Sequence, residues 1–285
     1  RNMIRTFFIT VCSTVLLTAT PVLAQNAAVR AITSVQGDLY RFQNNNHFSV
    51  FLVTSEGVIA SDPIDREAAL WLKQEIQARF QQPVKYLVYS HDHRDHISGG
   101  EVFDEAVVVS HVGTKEKIIG EQRPTALPDV TYSQTMTIEL GGKTVELIHA
   151  GRNHSDNSTV LFFPEERAVF AVDFISVDRM PYRTLNDSYI PDWFDSMKMV
   201  EALDFDIMLP GHGVVGTKAD VTEHRMYLEL LYATVLKGVR AGQGLEAMIE
   251  LVRFDQYDHF EQYESALPLN IQGMYRMITA NRVGN

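Results

Sequence analysis

The sequence predicts an α/β fold in which a strand-rich core carries outer helices. Short apolar runs bounded by turn residues dominate residues 29–172, a pattern typical of buried strands. Longer segments with helical spacing of apolar residues dominate from residue 192 onward. Several strand-like runs end in His or Asp, at the sheet edge where α/β folds place their sites. Neither an internal repeat nor a long linker interrupts the chain, so we expect one domain over 25–285 with a helical C-terminal third.

The first part of this domain predicts antiparallel strands and one helix. Apolar runs indicate strands at 39–42, 49–53 and 57–60. Apolar residues at three- and four-residue spacing then predict a helix over 66–80, with Asp65 as its N-cap. The residues with this spacing are Ala69, Leu72, Ile76 and Phe80.

The remaining elements alternate less regularly. A strand is predicted at 84–89 and a short helix over 97–103. A second sheet-forming block is predicted from strands at 107–109, 136–138, 145–148, 159–163 and 168–172. Helices are predicted over 192–203, 220–240, 245–252 and 259–279.

A dense polar cluster follows the strand at 84–89. Residues 90–96 read Ser-His-Asp-His-Arg-Asp-His, with three imidazoles and two carboxylates. Neutral imidazole nitrogen and carboxylate oxygen together suit zinc and other divalent first-row metals. A metal site is therefore predicted within residues 90–96, at this strand end.

Three further donor residues end apolar runs later in the chain. They are His154, Asp173 and His212. The whole set resembles the signature of the metallo-β-lactamase superfamily, His-x-His-x-Asp-His followed by a His, an Asp and a last His. The resemblance spans residues 29–216, and all seven ligand positions match in order.

The resemblance implies an αββα sandwich and two divalent metal ions, expected to be zinc, with iron or manganese as alternatives. It assigns His91, His93 and His154 to the first metal. It assigns Asp95, His96 and His212 to the second, with Asp173 bridging the two. It further implies hydrolysis of an acyl compound through a metal-bridging hydroxide, which the catalytic residue Asp95 orients while passing a proton to the leaving group.

Departures from individual branches of the superfamily bear on the substrate. Zinc β-lactamases resemble this chain around His154 but have Cys or Ser at the position of Asp173, and many have Lys at that of Ser176. Acyl-homoserine lactonases share all seven ligands but have Tyr at the position of Ser176. We therefore expect small esters, lactones or related acyl compounds as substrates. A β-lactamase with a carboxylate-bridged site, and a non-hydrolytic metal-binding or di-iron protein, are the alternatives.

The segment 176–193 contains aromatic residues without clear periodicity, which indicates a loop beside the site that shapes an apolar pocket. Tyr182, Tyr189 and Arg179 are the candidate substrate-binding residues. Packing of a long connection and a solvated loop charge are the alternative interpretations of these three.

The N-terminus resembles a secretory signal peptide over 1–24. Arg1 and Arg5 precede a nearly uncharged apolar stretch over 6–18, and a small-residue cleavage site ends at Ala24. A periplasmic or secreted protein is predicted, without membrane contact after cleavage; an uncleaved anchor is the alternative. Cys12 lies in this stretch, so a thiolate ligand is not expected in the mature protein.

The composition bears on the partners. The formal net charge is −11, and neither a basic run nor basic-aromatic interleaving is present. Because an acidic surface repels phosphate backbones, we expect a small-molecule substrate rather than a nucleic acid. The sequence leaves the oligomeric state open.

Overall fold

The computed structural model describes residues 28–186 and 188–280, which form two β-sheets packed face to face between layers of helices. The signal peptide predicted over 1–24 lies outside the described residues.

The first sheet has seven strands in chain order. Its strands are β1 (Arg30–Gln36), β2 (Leu39–Asn44), β3 (His47–Thr54), β4 (Gly57–Ser61), β5 (Val84–Val88), β6 (Val107–His111) and β7 (Val130–Tyr132). Strands β1 to β4 pair antiparallel, whereas β4 to β7 pair parallel.

The second sheet has five strands in the order β12-β11-β10-β9-β8. Its strands are β8 (Thr135–Leu140), β9 (Lys143–His149), β10 (Thr159–Phe163), β11 (Ala168–Phe170) and β12 (Ile207–Leu209). Pairing is antiparallel from β8 to β11, and β12 joins β11 in parallel.

The helices lie in the connections and at the C-terminus. They are α1 (Arg66–Phe80), α2 (Arg94–Ile97), α3 (Val112–Gly120), α4 (Asp192–Glu201), α5 (Lys218–Arg240), α6 (Leu245–Leu251) and α7 (Tyr263–Thr279). The N-cap predicted for α1 is confirmed, because Asp65 Oδ1 accepts a hydrogen bond from the backbone N–H of Ala68 at 2.8 Å.

Buried side chains divide the molecule into layers. Leu52 and Val88 of the first sheet share one apolar core with Leu147 and Phe163 of the second. Helix α1 packs against the outer face of the first sheet, and helices α4, α5 and α7 cover the outer face of the second. The expected αββα sandwich is confirmed.

Some predicted elements were wrong in detail. The strand predicted at 107–109 is β6 and belongs to the first sheet, not to the second block. The helix predicted over 97–103 is replaced by α2 and a 3₁₀ turn at Gly100–Val102. Gly99 separates the two with φ 90°, where a Cβ would lie 2.7 Å from the Asp65 backbone. This close approach ends the helix.

The topology collects the polar strand ends at one edge. Strand β5 leads into residues 90–96, β11 leads to Asp173, and β12 leads to His212. His154 lies in the connection between β9 and β10. Among the described helices, none has the length and apolar character needed to cross a bilayer.

Candidate metal centre

Seven side chains predicted as ligands converge in two groups of four, with Asp173 common to both. Within each group, one donor atom per residue lies within 4.8 Å of every other. The first group is His91, His93, His154 and Asp173, and the second is Asp95, His96, Asp173 and His212. This arrangement matches the division between two metals that the sequence predicts, including the shared position of Asp173.

Asp173 lies between the imidazoles of both groups. Its Oδ2 lies 3.1 Å from His96 Nε2. The same oxygen lies 3.8 Å from the Nε2 atoms of His91 and His154, and Oδ1 lies 3.4 Å from His212 Nε2. The backbone of Asp173 adopts a left-handed conformation with φ 65°, which Asp tolerates better than most residues. The fold thus holds one carboxylate in contact with both halves of the site.

The donor set fits two divalent ions. His91 Nε2 and Asp173 Oδ1 are buried polar atoms of the described chain without a hydrogen-bond partner. Such atoms are uncommon because desolvation without a partner costs about 1–3 kcal/mol each. Five imidazoles and two carboxylates are ligands that zinc and other first-row metals accept. Bound cations would satisfy both orphaned atoms.

A buried carboxylate that the sequence analysis missed orients two of the imidazoles. Asp62 Oδ2 lies 3.0 Å from His96 Nδ1 and accepts a hydrogen bond from Ser90 Oγ at 2.6 Å. Ser90 Oγ in turn lies 3.0 Å from His91 Nδ1. Fixing Nδ1 leaves Nε2 of each ring directed at Asp173, as is typical of partners that orient metal-binding histidines. Asp62 follows an apolar strand, β4, and a position at the end of such a strand is the same signal that predicted the seven ligands.

The hairpin between β2 and β3 supplies two more contacts that were not predicted. The carbonyl oxygen of Asn46 lies 2.8 Å from His212 Nδ1. His47 Nε2 lies 3.2 Å from Asp95 Oδ2. Burial alone would raise the pKa of Asp95, but the hydrogen bond to His47 and the charge of His96 hold it well below its ordinary value. The Asp95 carboxylate is therefore ionised at neutral pH.

The charges inside the site are strongly coupled. Burial would raise the pKa of Asp173, yet the neighbouring charge of His96 and its hydrogen bond hold it well below the ordinary range. Burial would lower the pKa of His96, but Asp173 raises it well above its usual value. The pKa of His91 is lowered, first by burial and then by the nearby His93. A neutral His91 and an ionised Asp173 are the protonation states that bind metal.

Asp92, the remaining carboxylate of the 90–96 cluster, faces away from both groups. It is 2% exposed, accepts a hydrogen bond from Asn157 Nδ2 at 2.7 Å, and its Oδ2 lies 2.9 Å from Arg123 Nη2. Arg123 also donates to the backbone carbonyl of Asp92. The pair is a structural anchor that fixes the loop carrying the ligands.

A cavity of about 560 Å³ opens onto the site. Tyr182 and Arg179 line it as predicted, together with Ser176, Met180 and Asn186. Tyr182 is 60% exposed. Roles of these side chains in substrate binding stay a prediction.

The cavity lining does not include Tyr189, the third predicted substrate residue. Its ring lies 5.2 Å from the guanidinium carbon of Arg152, and its backbone N–H donates to the carbonyl of Asn153. Tyr189 thus packs behind the loop that carries His154, and the cavity gives its predicted role no support.

A family model described as the metallo-β-lactamase superfamily matches residues 64–212. The chain belongs to this superfamily. The match includes all seven residues of the two groups, and the chain is a metal-dependent hydrolase of this superfamily.

Curated relatives of this hydrolase have differing names. It is 25% identical over 226 residues to the alpha subunit of a 2,4-dinitroanisole O-demethylase from Nocardioides sp. (strain JS1661), covering 77% of this chain and 69% of that protein. It is 25% identical to a type 2 metallo-β-lactamase from Bacillus sp. (strain 170), covering 59% and 66%. A β-lactamase-like protein 2 homolog from Caenorhabditis elegans is 27% identical, covering 54% and 52%. The chain spans between 52% and 69% of these relatives' lengths.

Solved structures support the fold. A metallo-β-lactamase from Pontibacter korlensis superposes with a TM-score of 0.63 at 19% identity, covering 70% of this chain and 99% of that one. A metallo-β-lactamase from Hirschia baltica superposes with a TM-score of 0.60 at 13% identity, covering 69% and 96%. Both similarities are those of the αββα architecture.

Proposed function

We propose that the protein is an exported hydrolase that uses two zinc ions to cleave small esters, lactones or related acyl compounds. The observation that carries this proposal is the sharing of Asp173 between two complete donor groups. A carboxylate placed between two dications reduces their mutual repulsion, which is what a dinuclear site needs.

Two bound divalent ions would polarise the acyl carbonyl and acidify a water molecule. Residues of the chain would orient the attacking water, transfer its proton and position the histidines. Asp95, half exposed at the cavity, would orient the attacking water through a carboxylate oxygen and pass a proton from it to the leaving group. Asp62 and Ser90 keep His96 and His91 in fixed orientations.

The cavity supports a small-molecule substrate. Its volume of about 560 Å³ falls in the range of roughly 300–1,000 Å³ that is usual for small-ligand sites. Ser176 lies in its wall where zinc β-lactamases often carry a cation for the substrate carboxylate. This difference at position 176 favours esters and lactones over lactam antibiotics, and Arg179 is the predicted substrate-binding cation of the wall.

A β-lactamase is the alternative, favoured by the similarity to the type 2 metallo-β-lactamase. The O-demethylase relative adds a different probe, 2,4-dinitroanisole, because its similarity extends over the largest share of the chain among the relatives described above. The substrate panel should therefore contain β-lactams and 2,4-dinitroanisole beside activated esters and lactones.

The experiment combines metal analysis with that panel. Protein purified without added metal should hold close to two zinc ions per chain, and chelation should abolish hydrolysis. Esters or lactones should be turned over faster than penicillins or carbapenems. Only trace metal, or activity that persists after chelation, would exclude the mechanism. Lactam hydrolysis with kcat/KM on the order of 10⁵ M⁻¹s⁻¹, an ordinary enzymatic value, would favour the β-lactamase function over the proposed one.

Export has a separate test. The Arg-flanked apolar stretch over 6–18 supports it. Expressed with residues 1–24 in a Gram-negative host, the protein should appear in the periplasm with Gln25 as its first residue. Cytoplasmic protein that still carries Met3 would contradict export without affecting the proposed chemistry.

A further inference from the structure

His47 contacts the metal centre although it lies outside the ligand motif. It begins strand β3 and lines the cavity. Its Nε2 lies 3.2 Å from Asp95 Oδ2, and its ring centroid lies 4.6 Å from that of His212. His47 belongs to neither four-donor group, but Asp95, the side chain that it contacts, belongs to the second.

Asp95 needs an external constraint. Its side chain is 50% exposed, in contrast to 11% for Asp173. The other polar neighbours of its Oδ2 are more distant, with His96 Nε2 at 3.7 Å and His212 Nε2 at 3.9 Å. Among the described residues, the side-chain hydrogen bond to this carboxylate comes from His47 alone. Without it, an exposed carboxylate is free to rotate toward solvent.

The backbone that carries His47 is itself tied to the site. A two-residue turn, Asn45-Asn46, joins β2 to β3, and Asn44 pairs with His47 across it. The N–H of Phe48 donates to the carbonyl of Gly211 at 2.8 Å. Because Asn46 also contacts His212, the hairpin is fixed on both sides of His47 by the loop that carries the last ligand.

We propose that His47 is a positioning residue whose Nε2–H donates to Asp95 Oδ2 and keeps this carboxylate turned toward the second donor group. This inference rests on the proposed two-metal function. It extends the site to a residue on a separate hairpin, 48 positions before Asp95. Partners that orient metal ligands typically contribute roughly 10- to 100-fold in metal affinity.

The test measures metal binding rather than turnover. Wild type, His47→Ala and His47→Gln are stripped of metal and titrated with Zn²⁺ against a chromophoric chelator, and with Co²⁺ by its visible absorption. His47→Ala should bind the second equivalent roughly 10- to 100-fold more weakly and the first equivalent unchanged. His47→Gln, whose side-chain amide can also donate, should recover most of this loss. Gln272→Ala, at an exposed position of α7 outside both donor groups, is the control and should behave as wild type.

A double variant shows whether His47 acts through Asp95. In an Asp95→Ala background, the further change His47→Ala should have no effect on binding of the second metal. Equal second-site affinity in wild type and His47→Ala, or additive losses in the double variant, would overturn the role of His47. Wild-type protein that binds fewer than two ions would instead overturn the proposed function and this inference with it. Thermal unfolding of the metal-free variants at the wild-type temperature would show that the loss is not a folding defect.

Discussion

Asp173 is the residue on which the two halves of the site depend. Asp173→Ala should lower occupancy mainly at the second site, because the first keeps three imidazoles, which suffice for tetrahedral zinc with one water. Elemental analysis after dialysis should therefore give close to one metal per chain. Asp204→Ala, which removes an exposed carboxylate paired with Arg167, is the control and should retain two. Two tightly held metals and full activity in Asp173→Ala protein would show that this residue is not a ligand.

Gly211 shows how closely the ligand residues pack. A Cβ at this position would lie 2.7 Å from Val172 Cγ1 and 3.1 Å from Asp173 Oδ1. Both neighbours would have to move, and one of them is the carboxylate that the two donor groups share. A residue larger than glycine at position 211 would therefore clash with its neighbours and displace the Asp173 carboxylate.

His224 is a buried imidazole that the proposed chemistry does not use. It is 1% exposed on α5, and neither ring nitrogen has a hydrogen-bond partner among the described residues. Burial lowers the pKa of His224 to about 3. The unfolded chain, with a pKa near 6.5, therefore binds a proton over a pH range in which the folded protein stays neutral. Stability is lost as the pH falls from about 6.5 toward 3.

Replacing His224 by Leu should remove this loss of stability at low pH. Between pH 7 and pH 5, metal-free wild type should lose on the order of 2 kcal/mol more unfolding free energy than the variant, as measured by urea denaturation. The variant should also be more stable at pH 7, because it removes two unpaired polar atoms from the core. Gln272→Leu, a matched change at an exposed position without a titratable side chain, should follow the wild-type pH dependence. Parallel pH profiles for wild type and His224→Leu would contradict the burial argument.

At the scale of elements, the β2–β3 hairpin holds the loop of the last ligand through Arg41. Its Nη2 donates to the carbonyls of Pro210 at 3.0 Å and Gly213 at 2.8 Å, on either side of His212. Its guanidinium lies 3.7 Å from the ring centroid of Phe48. Burial lowers the pKa of Arg41 to about 10, so it remains charged at neutral pH. One side chain thus links a hairpin of the first sheet to a loop that follows the second.

Arg41→Met should release this loop while keeping the aliphatic volume. We expect a loss of about 1–3 kcal/mol in unfolding free energy, because two carbonyls lose their donor, together with weaker retention of the second metal. Urea denaturation and metal analysis measure the two effects. The matched control is Arg79→Met, which removes a surface pair with Glu75 and should change stability by less than about 1 kcal/mol. Unchanged metal retention in Arg41→Met would show that His212 does not depend on the hairpin.

At the scale of the whole molecule, the sequence predicts the ligands better than their supports. The seven ligand-type residues share a local signal, an apolar run followed by His or Asp, and the structure brings them together. Asp62 and His47 also lie at strand ends, but nothing local relates either of them to a partner distant in sequence. Their roles arise from tertiary packing, which one sequence does not specify.

The unpredicted elements have a similar explanation. Helix α3 contains Gly113 and Thr114 in its first turn and has a weak apolar pattern; His111 supplies its N-cap by accepting from the N–H of Gly113. Strand β7 has only three residues, too few for a periodicity to be recognised. Strand β6 was predicted as a strand but assigned to the wrong sheet, because apolar alternation does not identify a pairing partner.

The C-terminal helices, which lie beyond the matched residues 64–212, support a loop that lines the cavity. Asn270 of α7 is fully buried, and its Nδ2 donates to the carbonyls of Pro181 at 3.0 Å and Arg183 at 2.7 Å. Its Oδ1 accepts a hydrogen bond from the hydroxyl of Tyr227 at 2.8 Å. The loop segment held in this way carries Tyr182 into the cavity lining. Helix α7 therefore shapes the substrate side of the site without contacting the metal ligands.

The variant Asn270→Leu should affect substrate binding without affecting metal binding. The substitution keeps the volume but leaves two loop carbonyls and the Tyr227 hydroxyl without their partner, at a cost of about 1–3 kcal/mol in stability. We expect KM for the best ester or lactone substrate to rise while the metal content stays at two per chain, since the ligands lie on other elements. Gln272→Leu, at an exposed position of the same helix, should leave both quantities unchanged. Steady-state kinetics and metal analysis on the same samples measure both quantities. A variant that loses metal, or one that keeps the wild-type KM, would show that α7 does not support the substrate-binding loop.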